Sequence, residues 1–121
     1  MNTPSKNFRE LIVWQKAHSF TLKIYEFTTK FPKEELYGLT SQFRRASVSV
    51  AANIAEGYKK KSKNDKLKFY NIAEGSLSEC QYYCILAQDL KYGSAEQLIG
   101  LSFEVERLLS TYCESIRKSQ V

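Results

Sequence analysis

Apolar residues recur at intervals of three and four along almost the whole chain, which is the spacing that places side chains on one face of an α-helix. Four stretches with this spacing are separated by short polar segments, and they predict helices at residues 11–30, 39–61, 63–92 and 95–118. The residues predicted to face the core are Val13, Ala17, Phe20, Ile24, Phe27 and Phe31; Leu39, Phe43, Ala46, Val50 and Ile54; Tyr70, Ala73, Leu77, Cys80, Cys84 and Ala87; and Leu98, Leu101, Val105, Leu108 and Tyr112.

Residues with strong helix-end preferences support these boundaries. Pro32 ends the first helix, because a residue that precedes proline avoids the helical conformation. Asn7, Ser62 and Ser94 each have an acidic or amide side chain three positions later, as in a capping box. Gly93 suits the end of the third helix. Because the connections are short and no strand-like alternation competes, we predict an all-α chain with one domain, folded as an antiparallel up-down-up-down four-helix bundle.

A pentapeptide repeats across the predicted hairpin of the second and third helices, since residues 53–57 and 71–75 both read Asn-Ile-Ala-Glu-Gly. With a turn centred near Ser62 the two copies lie level, and Ser49 is expected to face Gly75. A glycine inside a helix costs about 1 kcal/mol relative to alanine. We therefore expect that the glycines allow the backbones of the two helices to approach closely. Chance recurrence of helix-favouring residues is the alternative. The residues predicted to set helix packing and register are Arg45, Asn53, Gly57, Asn71, Gly75 and Glu79, with Arg45 opposite Glu79 and Asn53 opposite Asn71.

Six short motifs, taken in order along the chain, form a recognisable set. They are residues 11–17 (Leu-Ile-Val-Trp-Gln-Lys-Ala), residues 31–32 (Phe-Pro), residues 37–42 (Tyr-Gly-Leu-Thr-Ser-Gln), residues 44–46 (Arg-Arg-Ala), residues 53–57, and residues 75–79 (Gly-Ser-Leu-Ser-Glu). This set resembles the four-helix-bundle family encoded in intervening sequences of bacterial 23S ribosomal RNA genes. That family is similar to the accessory proteins of diversity-generating retroelements, which are barrel-shaped homopentamers with a basic surface. The resemblance implies an up-down bundle that assembles into a ring of five, and it implies no enzyme activity.

Positive charge is concentrated between residues 59 and 68. The full sequence has 18 basic and 13 acidic residues, which gives a net charge of +5. Six lysines and Asp65 lie in this segment, so it carries a charge of +5 by itself and the remainder of the chain is balanced. The six lysines, called the lysine turn below, are Lys59, Lys60, Lys61, Lys63, Lys66 and Lys68.

In an up-down bundle the lysine turn shares one end with both termini. Lys6, Arg9, Arg117 and Lys118 are expected to add to its charge. A cluster of lysines is typical of contact with nucleic-acid phosphates, and Tyr58 and Tyr70 beside it are expected to stack on bases. We therefore predict that the lysine turn binds the backbone of RNA or DNA. A solubilising charge run on an exposed turn is the alternative.

No motif in the chain predicts catalysis, a cofactor or a metal site. His18 is the single histidine, and nothing in the sequence places it beside a nucleophile. Cys80 and Cys84 share a helical face, and together with Cys113 they are expected to be buried thiols rather than metal ligands. We predict that the protein is not an enzyme, and we expect no small-molecule substrate.

The first and third helices have more apolar residues than one buried stripe requires. Extra aromatic faces are typical of subunit interfaces, so we predict a homo-oligomer, for which the resemblance implies a pentamer. The predicted interface residues are Trp14, Leu22, Tyr25, Phe69, Tyr82 and Tyr83. A scaffolding oligomer that binds a protein partner, without nucleic-acid contact, is the alternative function.

The chain has no apolar run long enough to cross a membrane. Its first residues also lack the apolar core of a signal peptide. We therefore expect a cytoplasmic protein without a membrane partner.

Overall fold

The computed structural model describes residues 6–119, which form four long helices. These are α1 (Ile12–Thr28), α2 (Leu39–Lys59), α3 (Lys63–Asp89) and α4 (Glu96–Lys118). Two short 3-10 helices, Phe8–Glu10 and Lys33–Glu35, precede α1 and α2. Between residues 6 and 119 there is no strand, and the prediction of an all-α four-helix bundle is confirmed.

The four helices pack as neighbours around a square. α1 and α3 each contact α2 and α4, whereas across residues 6–119 the diagonal pairs make no close contact. Residues later on one helix contact residues earlier on the next in the α1–α2, α2–α3 and α3–α4 pairs. Arg44 bonds Thr28, whereas Ser47, further along α2, bonds Thr21, which is earlier on α1. Successive helices therefore run antiparallel, and the α2–α3 connection lies at the end of the bundle where α1 begins and α4 ends.

The core consists of the predicted stripes on the first three helices, and on α4 the stripe is rotated. The predicted positions on α2 and α3 are all buried, as are those on α1 and its C-terminal extension except the half-buried Phe27. On α4, Leu101, Leu108 and Tyr112 are only half-buried. The buried residues there are Leu98, Ser102, Val105, Leu109 and Cys113. The prediction for α4 was wrong at these positions because small Ser102 and Cys113 side chains face the core and larger ones flank it.

Only one of the three predicted capping boxes begins a long helix. Ser62 Oγ accepts a hydrogen bond from the Asp65 amide at 3.1 Å and caps α3. Asn7 instead caps the short 3-10 helix before α1. Ser94 caps nothing, because α4 begins after Ala95, whose amide donates to the Gln88 side chain at 2.7 Å.

The end of α3 also differs from the prediction. The helix ends at Asp89, and Lys91 adopts the left-handed conformation, with φ of 64°. The amide of Tyr92 then donates to the Ala87 carbonyl at 2.9 Å, which closes the last turn in the manner of a Schellman motif. Lys91 therefore takes the position that the sequence assigned to Gly93.

The register of the α2–α3 hairpin differs by one residue from the prediction. Ser49 Oγ lies 2.8 Å from Ser76 Oγ, so Ser76 and not Gly75 faces α2. One residue turns a helical position by about 100°. Gly75 is therefore exposed, and a Cβ built on it meets no atom within 4 Å. The close approach predicted at Gly75 is wrong.

The predicted asparagine pair is also absent. Asn53 Nδ2 donates to the carbonyl and hydroxyl oxygens of Ser49, on its own helix, at 2.8 and 3.0 Å. Asn71 is exposed on α3. A local polar cluster of Ser49, Asn53 and Ser76 thus occupies the place assigned to the asparagine pair.

Arg45 and Glu79 do not form the predicted ion pair, and both are exposed. Glu79 instead accepts a hydrogen bond from the Tyr83 hydroxyl at 2.9 Å. The Tyr83 ring packs against Phe43 of α2, with 5.6 Å between ring centroids. This aromatic contact joins α2 to α3 at the level where the ion pair was expected.

Gly57, in contrast to Gly75, lies at a close contact between α2 and α3. A Cβ built on Gly57 would lie 2.5 Å from Cε1 of Tyr70. The Tyr70 ring is fully buried and packs against Tyr112 of α4, with 5.2 Å between centroids. The absent side chain at Gly57 therefore makes the space in which the Tyr70 ring links three helices.

Candidate nucleic-acid interface

The lysine turn lies where α2 ends and α3 begins, and it contacts the end of α4. Lys63 Nζ donates to the carbonyl oxygen of Arg117 at 3.2 Å and also to that of Ser119. These carbonyls belong to the last turn of α4, where the negative end of the helix dipole favours a cation. The amine of Lys63 therefore stabilises a helix end within the chain.

Lys66 has an equivalent role at the end of α2. Its Nζ donates to the carbonyl oxygens of Tyr58 at 2.7 Å and Gly57 at 3.4 Å, and it lies 5.5 Å from the Tyr58 ring centroid. Burial lowers the pKa of the Lys66 ammonium. Two of the six predicted phosphate ligands, Lys63 and Lys66, are thus helix caps.

The other lysines of the turn differ in how freely their amines meet solvent. Lys60 Nζ lies 4.9 Å from the centroid of the Phe69 ring, in a cation–π contact. Lys59, Lys61 and Lys68 are exposed, and the described part of the chain provides no hydrogen bond or ion pair for their amines. These three amines are the ones best placed to meet an external anion.

Basic residues of both terminal segments lie at the same end. Arg117 and Lys118 are exposed, and both pair with Glu114 at 3.8 and 3.5 Å. Arg9 is exposed in the 3-10 helix that contacts α2, and Lys6 is exposed just before that helix. We call this surface, composed of Lys59, Lys60, Lys61, Lys68, Arg117, Lys118, Lys6 and Arg9, the basic end.

The opposite end of the bundle has both charge signs. An open groove of about 510 Å³ lies there between the end of α1 and the start of α4. Its lining includes Lys23 and Lys30 together with Glu26 and Glu96. The net positive charge of the chain is therefore concentrated at the end that holds the lysine turn.

The two tyrosines predicted to stack on bases have different environments. Tyr70 is fully buried, and its hydroxyl donates to that of Tyr112 at 3.5 Å. Burial raises the pKa of Tyr70 well above its usual value. Tyr70 therefore has no accessible ring face, and the prediction that it stacks on bases is wrong. Tyr58 is half-buried beneath Lys66.

The sequence reasoning missed an aromatic ladder at this end. The rings of Trp14 and His18 are stacked, with 5.0 Å between centroids and 8° between planes. Phe8 packs at a tilt against Trp14, with 5.0 Å between ring centroids. Trp14 and His18 are four positions apart, a spacing that joins side chains on one helical face and could have signalled the pair. We call Phe8, Trp14 and His18 the aromatic ladder.

The cysteines have the environment of inert core residues. Cys80, Cys84 and Cys113 are free and buried. Burial raises the pKa of Cys84 to about 12 and that of Cys113 to about 11, so each thiol is protonated at neutral pH. Among residues 6–119 no cluster of three His, Cys, Asp or Glu side chains is arranged to hold a metal ion.

A family model matches residues 9–112 of the chain, and its description is 23S rRNA-intervening sequence protein. The chain belongs to this family. The resemblance noted from the sequence motifs is thereby confirmed. The crystal structure of a member of the S23 ribosomal protein family from Bacteroides thetaiotaomicron, described as of unknown function, is similar to this chain. The TM-score is 0.77 and the identity 24%, over 85% of this chain and 96% of that chain, so the likeness shows the fold alone. Comparison with curated proteins gives no match.

The residues predicted to form a subunit interface fall into two groups. Leu22, Tyr25 and Tyr82 are exposed, with 57% of Leu22 and 57% of Tyr82 accessible. Trp14, Phe69 and Tyr83 are half-buried and already contact rings or cations within the chain. Within residues 6–119, no helix is both long and apolar enough to span a bilayer.

Proposed function

We propose that this chain is a non-enzymatic, homo-oligomeric bundle that binds the phosphate backbone of RNA or DNA through its basic end. The observation that supports this most is the contact of Lys63 with the last carbonyls of α4. It draws the exposed amines of the α2–α3 turn together with Arg117 and Lys118. A nucleic-acid backbone that crosses this end meets lysines of α2 and α3 together with the basic residues at the end of α4.

The chemistry of the basic end supports a sequence-independent contact. Lysine ammonium groups act as point charges and recognise phosphate without reading base edges. Lys59 at the end of α2, Lys61 in the connection and Lys68 on α3 are all exposed, so they meet a backbone at the surface and enter no groove of defined shape. We therefore propose that base sequence has little effect on affinity.

Binding at the basic end is expected to weaken steeply with salt. Each neutralised phosphate releases a condensed cation, so the logarithm of the binding constant falls with the logarithm of salt concentration, with a slope of about −0.7 to −0.9 for each contact. Fluorescence anisotropy of labelled oligonucleotides over a salt series measures this slope. Two unrelated sequences of equal length provide the control. Absence of binding to RNA and DNA at low salt would contradict the proposed function.

The alternative, a scaffolding oligomer for a protein partner, is favoured by the exposed apolar residues Leu22 and Tyr82. Burial of an apolar surface is insensitive to moderate salt, unlike phosphate binding. A partner that remains bound at high salt, in the absence of any nucleic-acid binding, would support this alternative.

Self-association is expected to appear as a mass well above that of one 14.0 kDa chain in light scattering. The exposed side chains Leu22 and Tyr25 on α1 and Tyr82 on α3 support this prediction, since all three are large and between 41% and 57% accessible. A double substitution, Leu22→Asp with Tyr82→Asp, is expected to shift the mass towards that of the monomer. Lys33→Asp, on the exposed 3-10 helix, is the control. A wild-type mass of 14 kDa at micromolar concentration would contradict the prediction.

A further inference from the structure

The aromatic ladder lies at the same end of the bundle as the lysine turn. Thr21 of α1 donates to the Ser47 carbonyl of α2 at 3.0 Å, and the two helices run in opposite directions. Trp14 is seven residues, or two turns, before Thr21 on the same face of α1. It is therefore level with the last two turns of α2, which lead directly into Lys59.

The ladder is held in place before any ligand binds. Asn7 Oδ1 accepts from the Arg9 amide at 2.9 Å, and Gln15 Nε2 donates to the Arg9 carbonyl at 2.8 Å. These bonds fix the 3-10 helix that presents Phe8 against Trp14. A platform fixed in advance loses little conformational entropy when a ligand binds.

The outermost ring of the ladder is open to solvent. His18 is exposed, and within residues 6–119 the stack with Trp14 is the one contact that its imidazole ring makes. A planar ring stacked on one side and exposed at the surface offers room for a further aromatic plane. The bases of a nucleic acid present such planes, and base–aromatic stacking contributes about 1–3 kcal/mol per base.

We propose that the aromatic ladder is a base-stacking platform and that the ligand of the basic end is single-stranded. The inference rests on the proposed function, because Lys59, Lys61 and Lys68 hold the phosphates while the ladder receives a base. A duplex keeps its base faces stacked inside the helix, so it contacts the lysines and leaves the ladder empty. The ladder thus favours single-stranded over double-stranded nucleic acid without favouring a base sequence. Trp14 is assigned here to the ligand and not to the subunit interface.

The chain provides its own probe, because Trp14 is its single tryptophan. A base that stacks on His18 extends the stack that contains the indole of Trp14 and is expected to alter the indole emission. We expect a saturable change in tryptophan fluorescence with a short oligouridylate. A duplex of the same length, and a single strand with abasic sites, are expected to bind through phosphates with no such change.

Substitutions in the ladder are expected to lower affinity for the oligouridylate and not for the duplex. Trp14→Ala is expected to weaken single-strand binding by about tenfold, and Trp14→Phe, which keeps an aromatic ring, to restore most of the loss. His18→Ala removes an exposed ring and tests the platform where the bundle has little to lose in stability. Phe103→Ala is the matched control, since Phe103 is also an exposed aromatic ring. It lies one turn before Glu106, which accepts a hydrogen bond from Gln81 of α3.

The outcomes separate the two proposals. Equal affinity for single strand and duplex, with constant tryptophan emission and no effect of His18→Ala, would overturn the platform while leaving phosphate binding in place. Absence of binding to every probe at low salt would overturn the proposed function and the platform together. A preference for the single strand that His18→Ala and Trp14→Ala remove, and Phe103→Ala does not, supports the platform.

Discussion

Reversing the charge of Lys59, Lys61 and Lys68 together is expected to lower the affinity for a nucleic-acid backbone about a hundredfold or more at low salt. Each lysine-to-glutamate change removes one positive and adds one negative charge, so three of them turn the +5 of residues 59–68 into −1. The effect is large because the affinity proposed for this end is almost entirely electrostatic. Fluorescence anisotropy with a single-stranded oligonucleotide measures it.

The three lysines are chosen because the fold does not depend on their amines. Lys63 and Lys66 donate to backbone carbonyls at the ends of α4 and α2, and a carboxylate there would repel the helix ends. Their substitution would confuse loss of binding with loss of structure. The triple variant is therefore expected to keep the circular dichroism spectrum and melting temperature of the wild type.

A charge-matched control comes from the opposite end of the bundle. Lys23→Glu, Lys30→Glu and Lys33→Glu change the net charge of the chain by the same amount, at exposed positions far from the lysine turn. This variant is expected to lose only a small part of the affinity. Equal losses in the two variants would mean that overall charge, and not the basic end, determines binding.

Gly57→Ala is expected to destabilise the bundle by about 1–3 kcal/mol although alanine is the better helix former. The added Cβ would lie 2.5 Å from Cε1, 2.9 Å from Cδ1 and 3.0 Å from Cζ of Tyr70. The ring cannot move away cheaply, because it is fully buried and bonded to Tyr112. Urea unfolding followed by circular dichroism measures the change in the free energy of unfolding.

Gly75→Ala is the matched control for this prediction, since it places the same methyl group in the repeated pentapeptide on α3. Nothing lies within 4 Å of its Cβ, so the gain in helix propensity is expected to stabilise the bundle by about 0.5–1 kcal/mol. Opposite signs at the two glycines are thus expected. A stabilised Gly57→Ala variant would show that Tyr70 yields easily and that the α2–α3 contact is loose.

The sequence predicted the helices and most of the core because those depend on local spacing. The stripe on α2, from Leu39 to Ile54, is the one that periodicity identified, and it is buried throughout. On α4 the spacing of Leu101, Leu108 and Tyr112 was equally regular, yet Ser102 and Cys113 are among the residues that are buried there. A small buried residue gives no hydrophobic signal, so which face turns inward depended on the neighbouring helices.

Register and amine availability could not be predicted from the sequence for a similar reason. The three-residue connection after Lys59 sets the offset of the hairpin, and a one-residue error turned Gly75 from the α2 contact to solvent. Likewise, the charge of the lysine turn could be counted from the sequence. Whether the Lys63 amine donates to a backbone carbonyl depends on where the last carbonyls of α4 lie. Such contacts belong to the tertiary structure.

The buried thiols allow the rate at which the bundle opens to be measured. Cys80 and Cys84 lie on α3 and Cys113 on α4, and a maleimide or disulfide reagent can reach them only while their helix separates from its neighbours. Labelling followed by mass spectrometry would therefore time the exposure of each helix in the unmodified protein. Ligand bound across the basic end joins the start of α3 to the end of α4, so it is expected to slow the reaction of Cys113 with the reagent.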